Sequence, residues 1–290
     1  MTYKLAYRLT DILDPEERIE EAALFKAMCD HYGRDAVLPF RGDRLPEDND
    51  IPVFGRNLPS YVPSRNPVPS RLDYWDDEAF LSRTRREFHV VTLDEAATVV
   101  RDFQSRDKAV FVKSARQKHF KMALRPEHDF RECLGDMAYS FIDGQLLLVQ
   151  EFVPMEFEYR FFAIDGKIVT SSPNMEFLTP LDYPLAPGTL YRTPSSTTPT
   201  TDLAVVEALS RLADEVADEM EYPHACIDVA IVAGKPGLVE FNPMQLGHLG
   251  LFACDVRALA AASETLVASY QPASEPAFQS SPDESEFFDL

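Results

Sequence analysis

The fold of this chain is decided by two neighbouring apolar runs, Cys226-Ile227-Asp228-Val229-Ala230-Ile231-Val232-Ala233 and Leu238-Val239-Glu240-Phe241-Asn242-Pro243. Each run is rich in the β-branched and aromatic residues that favour strands. The four residues between them, Gly234-Lys235-Pro236-Gly237, are strong turn formers. The pattern predicts a β-hairpin that turns at these four residues.

Three polar side chains interrupt the predicted hairpin: Asp228, Glu240 and Asn242. Side chains at positions i and i+2 of a strand share a face, so Glu240 and Asn242 point together while Val239 and Phe241 face the other way. Pairing of the two strands brings Asp228 close to both. Two carboxylates and an amide oxygen suit a hard cation such as Mg²⁺. The alternative is a polar row that faces solvent, and the hairpin alone leaves both interpretations open.

A lysine, Lys113, ends the apolar run of residues 109–112. A lysine that leaves a buried strand can hold a phosphate oxygen as a point charge. The loop of residues 114–122 that follows is basic, and it contains Arg116, Lys118, His119 and Lys121. This cluster predicts a site for a triphosphate or another anionic substrate. A solvated basic loop is the alternative.

A third motif, Gln150-Glu151-Phe152-Val153-Pro154, ends the strand-like run that begins at residue 146. Such a segment can offer backbone N–H and C=O groups to a flat base. Glu158 and Arg160 follow with the same strand parity, so a carboxylate for ribose hydroxyls and a cation for phosphate face one site. The alternative is an ion pair between neighbouring strands.

The remaining sequence alternates helix-like and strand-like patterns, which predicts a mixed α and β fold. Asp165-Gly166 between two apolar runs predicts a second hairpin. Apolar periodicity predicts helices over residues 15–31, 95–103, 203–220 and 256–270. The Pro-rich residues 52–69 are predicted to form an extended surface connection, and residues 180–201 a loop.

Composition narrows the possible partners. The 290 residues carry a formal net charge of −20, which disfavours non-specific binding to nucleic acid or to an anionic membrane. No apolar run approaches the roughly 18 residues of a membrane span, and the N-terminal residues show no apolar core of a signal peptide. The four cysteines are widely spaced, as in reduced cytoplasmic proteins. A cytoplasmic location is therefore expected.

Taken in order, these motifs resemble the ATP-grasp superfamily. The resemblance is carried by Phe111-Val112-Lys113, Gln150-Glu151-Phe152-Val153, Asp228 and Glu240-Phe241-Asn242-Pro243, and it covers roughly residues 80–260. Together with Glu158-Tyr159-Arg160-Phe161-Phe162, the first motif is similar to a bacterial and phage clade in which an arginine replaces the first lysine of the family. It is also similar to the cell-division-cycle 123 family, whose members assist assembly of a translation initiation factor.

The resemblance implies an α+β fold in which two α/β subdomains clasp a nucleotide, with a small N-terminal pre-grasp region. The corresponding divisions are residues 1–90 for the pre-grasp region and 91–270 for the ATP-grasp domain. Within that domain, residues 91–154 form the small subdomain and 155–270 the large one. Residues 271–290 contain no Lys or Arg and are predicted to be a disordered acidic tail.

The resemblance also implies roles for individual residues. Lys113 binds the α- and β-phosphates, and Arg160 contacts phosphate near the metal. Glu158 binds the ribose. The adenine is held by the strand end, through backbone atoms of Glu151 and Val153, next to Gln150 and Phe152. The Mg²⁺ ligands are Asp228, Glu240 and Asn242. No lysine lies between Lys26 and Lys108, which leaves Arg83, Arg85 and Arg86 as replacements for the upstream family lysine; Arg86 is carried forward as the site residue.

The activity implied by the resemblance is that of an ATP- and Mg²⁺-dependent carboxylate–amine ligase, which forms a C–N bond through an acylphosphate. Its partners are then ATP and an unidentified small-molecule or peptide acceptor. A kinase-like phosphotransferase on the same scaffold is one alternative. An ATP-binding assembly factor with a protein partner, as in the cell-division-cycle 123 resemblance, is another; the Arg-rich N-terminal stretch and the acidic tail are its possible contacts.

Overall fold

The computed structural model describes residues 3–11, 14–42, 50–55, 65, 67–68, 72–115, 120–135, 146–244, 246 and 250–271. Within these residues the chain forms three β-sheets, with helices packed on them. The predicted α+β fold is therefore confirmed. The structure does not describe residues 116–119 of the basic loop or residues 272–290 of the predicted tail.

The first sheet is parallel and lies at the N-terminus. Its strands, in the order β2-β1-β3, are β1 Leu5–Leu9, β2 Val37–Arg41 and β3 Val53–Gly55. Helix α1, Pro15–Tyr32, connects the first two strands, and the Asp14 carboxylate caps it by accepting the Glu17 N–H at 2.7 Å. The predicted helix over residues 15–31 is confirmed.

Strand β3 corrects one prediction, because residues 52–69 were expected to form a surface connection. Val53 and Phe54 are fully buried, and β3 pairs with β1. Two apolar residues suffice here because Gly55 approaches Arg8 so closely that a Cβ atom would lie 2.6 Å from the Arg8 carbonyl oxygen. Residues 56–64, 66 and 69–71 of the Pro-rich stretch lie outside the described residues.

The second sheet is antiparallel and has the order β4-β7-β5-β6. Its strands are β4 Phe88–Thr92, β5 Val110–Ser114, β6 Lys121–Leu124 and β7 Leu146–Glu151. Helix α3, Leu93–Ser105, packs Val100 and Phe103 against Val112 and Val149, and the short helix α4, Phe130–Leu134, adds to this core. The predicted helix over residues 95–103 and the strand that ends near Lys113 are confirmed.

The third sheet is also antiparallel, with the order β11-β10-β8-β9. Its strands are β8 Met155–Ile164, β9 Lys167–Pro173, β10 His224–Val232 and β11 Lys235–Pro243. Both predicted hairpins are present. The β10–β11 turn, however, consists of Ala233 and Gly234, not of the four predicted residues. Both turn residues have positive φ, 49° and 77°, the geometry whose twist matches paired strands.

Two irregularities bend the third sheet where its polar residues cluster. Asp228 pairs with Glu240 and Val229 with Leu238, so Val239 is an extra residue in β11. In β8 the pairing with β10 shifts near Phe157, which has a φ of 57°. Bulges of this kind re-aim side chains and leave backbone groups outside the strand ladder.

Helices cover both faces of the third sheet. Helix α5, Leu203–Glu219, packs Leu209, Ala213 and Val216 against one face. On the other face, helix α6, Val256–Ser269, packs with α1, and a common core joins the N-terminal unit to Phe162 and Cys226. The predicted helices over residues 203–220 and 256–270 are confirmed. The division of the chain at residues 90 and 154 stays a prediction.

Asp77 joins two segments of the core. This buried carboxylate caps helix α2, Glu78–Arg83, by accepting the Ala79 and Phe80 N–H groups at 2.8 and 3.2 Å. Its second oxygen accepts the Glu221 N–H at 2.9 Å. The segment before β4 is thereby tied to the end of α5.

Replacing Asp77 by alanine is expected to destabilise the protein by about 2–4 kcal/mol, because a helix cap is lost and a part-buried N–H is left without its acceptor. Asp202→Ala is the matched control, since Asp202 caps α5 through two amides but is exposed. That change is expected to cost about 1 kcal/mol. Urea denaturation measures both, and equal losses would contradict the account.

No helix among the residues described is long and apolar enough to cross a membrane.

Candidate functional site

A row of three charged residues crosses the third sheet. Arg160 on β8 pairs with Asp228 on β10, and Asp228 pairs with Glu240 on β11. Residues directly opposite one another in antiparallel strands project to the same face, so the three side chains lie side by side. The bulge at Val239 sets this register.

Arg160 and Asp228 form a buried ion pair. Arg160 donates from Nε to Oδ1 and from Nη2 to Oδ2 of Asp228, each at 2.7 Å. The side chains are only 5% and 1% exposed. A two-point contact between a guanidinium and a carboxylate fixes the orientation of both groups. Asp228 is therefore held rigidly at the centre of the row.

Asn242 connects the two carboxylates. Its Nδ2 atom donates to Asp228 Oδ2 and to Glu240 Oε1, each at 3.0 Å. The two acceptors lie on different strands, so this amide fixes the separation of the acidic side chains. The prediction that Asp228, Glu240 and Asn242 converge is confirmed by these contacts.

Lys113 reaches the row from the second sheet. Its ammonium group donates to Glu240 Oε2 and to the hydroxyl of Tyr74. Burial by itself would lower the pKa of Lys113, but the charge of Glu240 outweighs burial and raises it. Lys113 is therefore a cation in a cleft between the second and third sheets.

Glu158 is the next acidic side chain on the same face. It accepts a hydrogen bond from Asn174 Nδ2 at 2.6 Å. Burial, together with the charges of Asp228 and Glu240, raises the pKa of Glu158 to about 7. A bound cation or a hydroxyl donor would relieve this repulsion.

The predicted adenine segment forms the end of β7. The N–H groups of Glu151 and Phe152 donate to the carbonyl oxygens of Glu87 and Ala109 at 2.8 and 2.9 Å. Among the described residues, none accepts a hydrogen bond from the Val153 N–H. The Glu151 carboxylate pairs with Lys108 at 3.2 Å, and the Phe152 side chain is 51% exposed. An edge with an available N–H and an exposed ring suits a flat base.

Arg86 links the two sheets from within. It donates to Gln150 Oε1 at 2.9 Å, to the Leu238 carbonyl oxygen at 3.0 Å, and to the Val239 carbonyl oxygen. The last two acceptors belong to the bulge in β11, whose carbonyl groups point away from β10. Burial lowers the pKa of Arg86.

The other candidate arginines lie elsewhere. Arg83 pairs with Glu219 at 2.7 Å on α5, and Arg85 donates to the Pro236 carbonyl oxygen at 3.2 Å. Of the three, Arg86 is the one held against the predicted nucleotide segment. Its role as a nucleotide ligand stays a prediction.

The donor set fits Mg²⁺ by its chemistry. Asp228 and Glu240 are carboxylates, and a flip of the Asn242 amide presents its oxygen to the same point. In the described part of the chain, no group of three or more His, Cys, Asp and Glu side chains is arranged to hold a metal. The reason is local, because the carboxylate oxygens contact Arg160, Asn242 and Lys113.

Sequence reasoning missed two residues at this site. Tyr74 was predicted only as a core anchor; it is buried as expected, but its hydroxyl also contacts Lys113. Asn174 lies just past β9 and had no motif to mark it. Of the predicted basic loop, Lys121 is exposed on β6 and pairs with Lys113, while Arg116, Lys118 and His119 lie outside the described residues.

Comparison with known proteins gives a consistent fold. No curated protein matches the sequence significantly. Among solved structures, D-cycloserine synthetase DcsG is 14% identical, with a TM-score of 0.56 over 90% of this chain and 99% of that chain. D-alanyl-alanine synthetase A from Vibrio cholerae is 13% identical, with a TM-score of 0.55 over 93% and 99%. D-alanine–D-alanine ligase from Bacillus anthracis is 12% identical, with a TM-score of 0.53 over 91% and 97%.

A family model described as an ATP-grasp domain, the second family of its clade, matches residues 84–262. The matched region contains Lys113, the strand end at Gln150 and the charged row of the third sheet. It covers well over half of the chain. The protein therefore belongs to the ATP-grasp superfamily, as a member of that family.

Proposed function

We propose that this protein is an ATP- and Mg²⁺-dependent carboxylate–amine ligase that acts through an acylphosphate. The observation that carries the proposal is the contact of Lys113, from one sheet, with Glu240, from the other. It places a cation for phosphate beside the acidic row within one cleft. The solved structures of similar fold include ligases for D-alanine and a synthetase for D-cycloserine.

The proposed nucleotide contacts follow the geometry of the cleft. The backbone of Glu151 and Val153 binds the adenine, beside Gln150 and Phe152, and Glu158 binds the ribose. Lys113 binds the α- and β-phosphates, and Arg86 supports the nucleotide segment through Gln150. ADP product would retain most of these contacts.

Catalysis then depends on charge neutralisation and positioning. Asp228, Glu240 and Asn242 would hold Mg²⁺, which when bound neutralises phosphate oxygens as a Lewis acid. Arg160 and Lys113 add positive charge to the transferring phosphoryl group. The γ-phosphoryl group passes from ATP to the substrate carboxylate, ADP leaves, and an amine then displaces phosphate to form the amide.

The experiment uses hydroxylamine to intercept the acylphosphate. The full chain is incubated with Mg²⁺·ATP, pools of amino acids and short peptides, and hydroxylamine. We expect a hydroxamate together with ADP and inorganic phosphate, and at least about 100-fold less product from Glu240→Gln. AMP and pyrophosphate would contradict the acylphosphate mechanism. A stable phosphate ester would identify a kinase, and a stoichiometric protein partner with no turnover would identify an assembly factor.

A further inference from the structure

The segment of residues 250–255 follows β11 and closes one side of the charged row. Three of its N–H groups donate to side chains: Phe252 to Glu20 at 2.7 Å, Ala253 to Ser172 at 2.9 Å and Asp255 to Thr170 at 2.9 Å. Ser172 and Thr170 lie on β9, next to the row. Glu20 comes from α1, far away in the sequence.

Phe252 is held in a conformation that only its surroundings can impose. Its φ is +47°, the left-handed region that side chains other than glycine rarely adopt. Its ring lies against Gly250, where a Cβ atom would be 2.5 Å from the ring. Strained backbone of this kind persists where neighbouring contacts fix it, and it concentrates at functional sites.

The same segment touches Arg160 twice. Arg160 Nη1 donates to the Gly250 carbonyl oxygen at 3.2 Å, and the guanidinium carbon lies 5.2 Å from the centre of the Phe252 ring. Asp228 occupies the Nε and Nη2 edge of the guanidinium. The segment therefore sets the one side of Arg160 that Asp228 leaves open.

We propose that Glu20 is a positioning residue for Arg160, acting through the segment of residues 250–255. Glu20 is buried, and its carboxylate accepts the N–H of the strained Phe252. The N-terminal unit, outside the matched family domain, thus contributes to the active site. The inference rests on the proposed function in one respect, that Arg160 contacts phosphate.

The neighbouring residue offers a matched control. Glu21 is equally buried on the same helix, but its Oε1 accepts from the Thr10 N–H and hydroxyl at 3.0 and 2.9 Å. Glu20→Leu and Glu21→Leu each remove one buried acceptor, so both are expected to lose thermal stability. Glu20→Gln keeps an acceptor oxygen for Phe252 and is the conservative variant.

The first readout is independent of any ligand. The Arg160 Nε–Hε resonance, identified by its loss in Arg160→Lys, is followed by ¹H–¹⁵N NMR of the full chain. We expect it to shift in Glu20→Leu, and in Gly250→Ala, where the added Cβ displaces the Phe252 ring. It should stay near its wild-type position in Glu20→Gln and Glu21→Leu. An unmoved signal in Glu20→Leu, or an equal shift in Glu21→Leu, would overturn the proposal.

The second readout is nucleotide affinity. Glu20→Leu is expected to weaken Mg²⁺·ATP binding about 10-fold, as losses of supporting residues typically do, and to leave adenosine binding unchanged. Glu21→Leu should change neither. Equal weakening of ATP and adenosine would show a general structural role and contradict the proposal. If the wild type binds no nucleotide, the proposed function fails, and the Arg160 resonance still decides the role of Glu20.

Discussion

Asp228→Ala is expected to destabilise the protein by about 3–5 kcal/mol, because it leaves the Arg160 guanidinium buried without its counter-ion. The pair is almost fully buried and bonded at two points. Asn242 also loses one of its two acceptors. Such a loss is a large part of the total stability of a typical domain.

The double variant Asp228→Leu with Arg160→Met separates charge from packing. Replacing a buried ion pair by apolar residues of similar volume is often neutral or stabilising. We therefore expect the double variant to be more stable than Asp228→Ala in urea denaturation. A double variant that loses as much as the sum of the two single changes would show that the ion pair is not the source of the effect.

Lys113→Met is expected to weaken Mg²⁺·ATP binding by about 10- to 100-fold, the factor that corresponds to loss of a charge-assisted hydrogen bond. The proposed phosphate contact disappears, while the adenine segment on β7 is untouched. Isothermal titration calorimetry measures the change. Lys235→Met is the control, because Lys235 is an exposed lysine on β11 near the turn. Equal binding by wild type and Lys113→Met would remove Lys113 from the site.

Much of the large sheet could be predicted because its strands alternate cleanly. The parity of Glu240 and Asn242 follows from strand geometry alone, and Asp228 lies opposite because the hairpin is local. The Val239 bulge was not predictable, because nothing in Leu238-Val239-Glu240 marks an extra residue. The same is true of the shorter turn, since it places a residue other than glycine, Ala233, at positive φ.

Contacts between distant segments were harder to predict. Lys113 was identified because a cation at the end of an apolar strand is conspicuous in an acidic chain. Tyr74 and Asn174 carry no such signal, and their roles depend on how separate sheets approach each other. Strand β3 was missed because two buried residues between Pro52 and Gly55 resemble a loop until β1 is beside them. Local pattern therefore predicts elements better than it predicts their assembly.

The central claim is that the carboxylates of β10 and β11 and the lysine of β5 form one site for a metal-bound nucleotide. A titration of ATP with and without Mg²⁺, on the wild type and Glu240→Gln, tests it most directly. We predict that Mg²⁺ strengthens ATP binding to the wild type at least about 10-fold, and that Glu240→Gln loses this gain. Absence of ATP binding to the wild type, or an undiminished gain in Glu240→Gln, would contradict the claim.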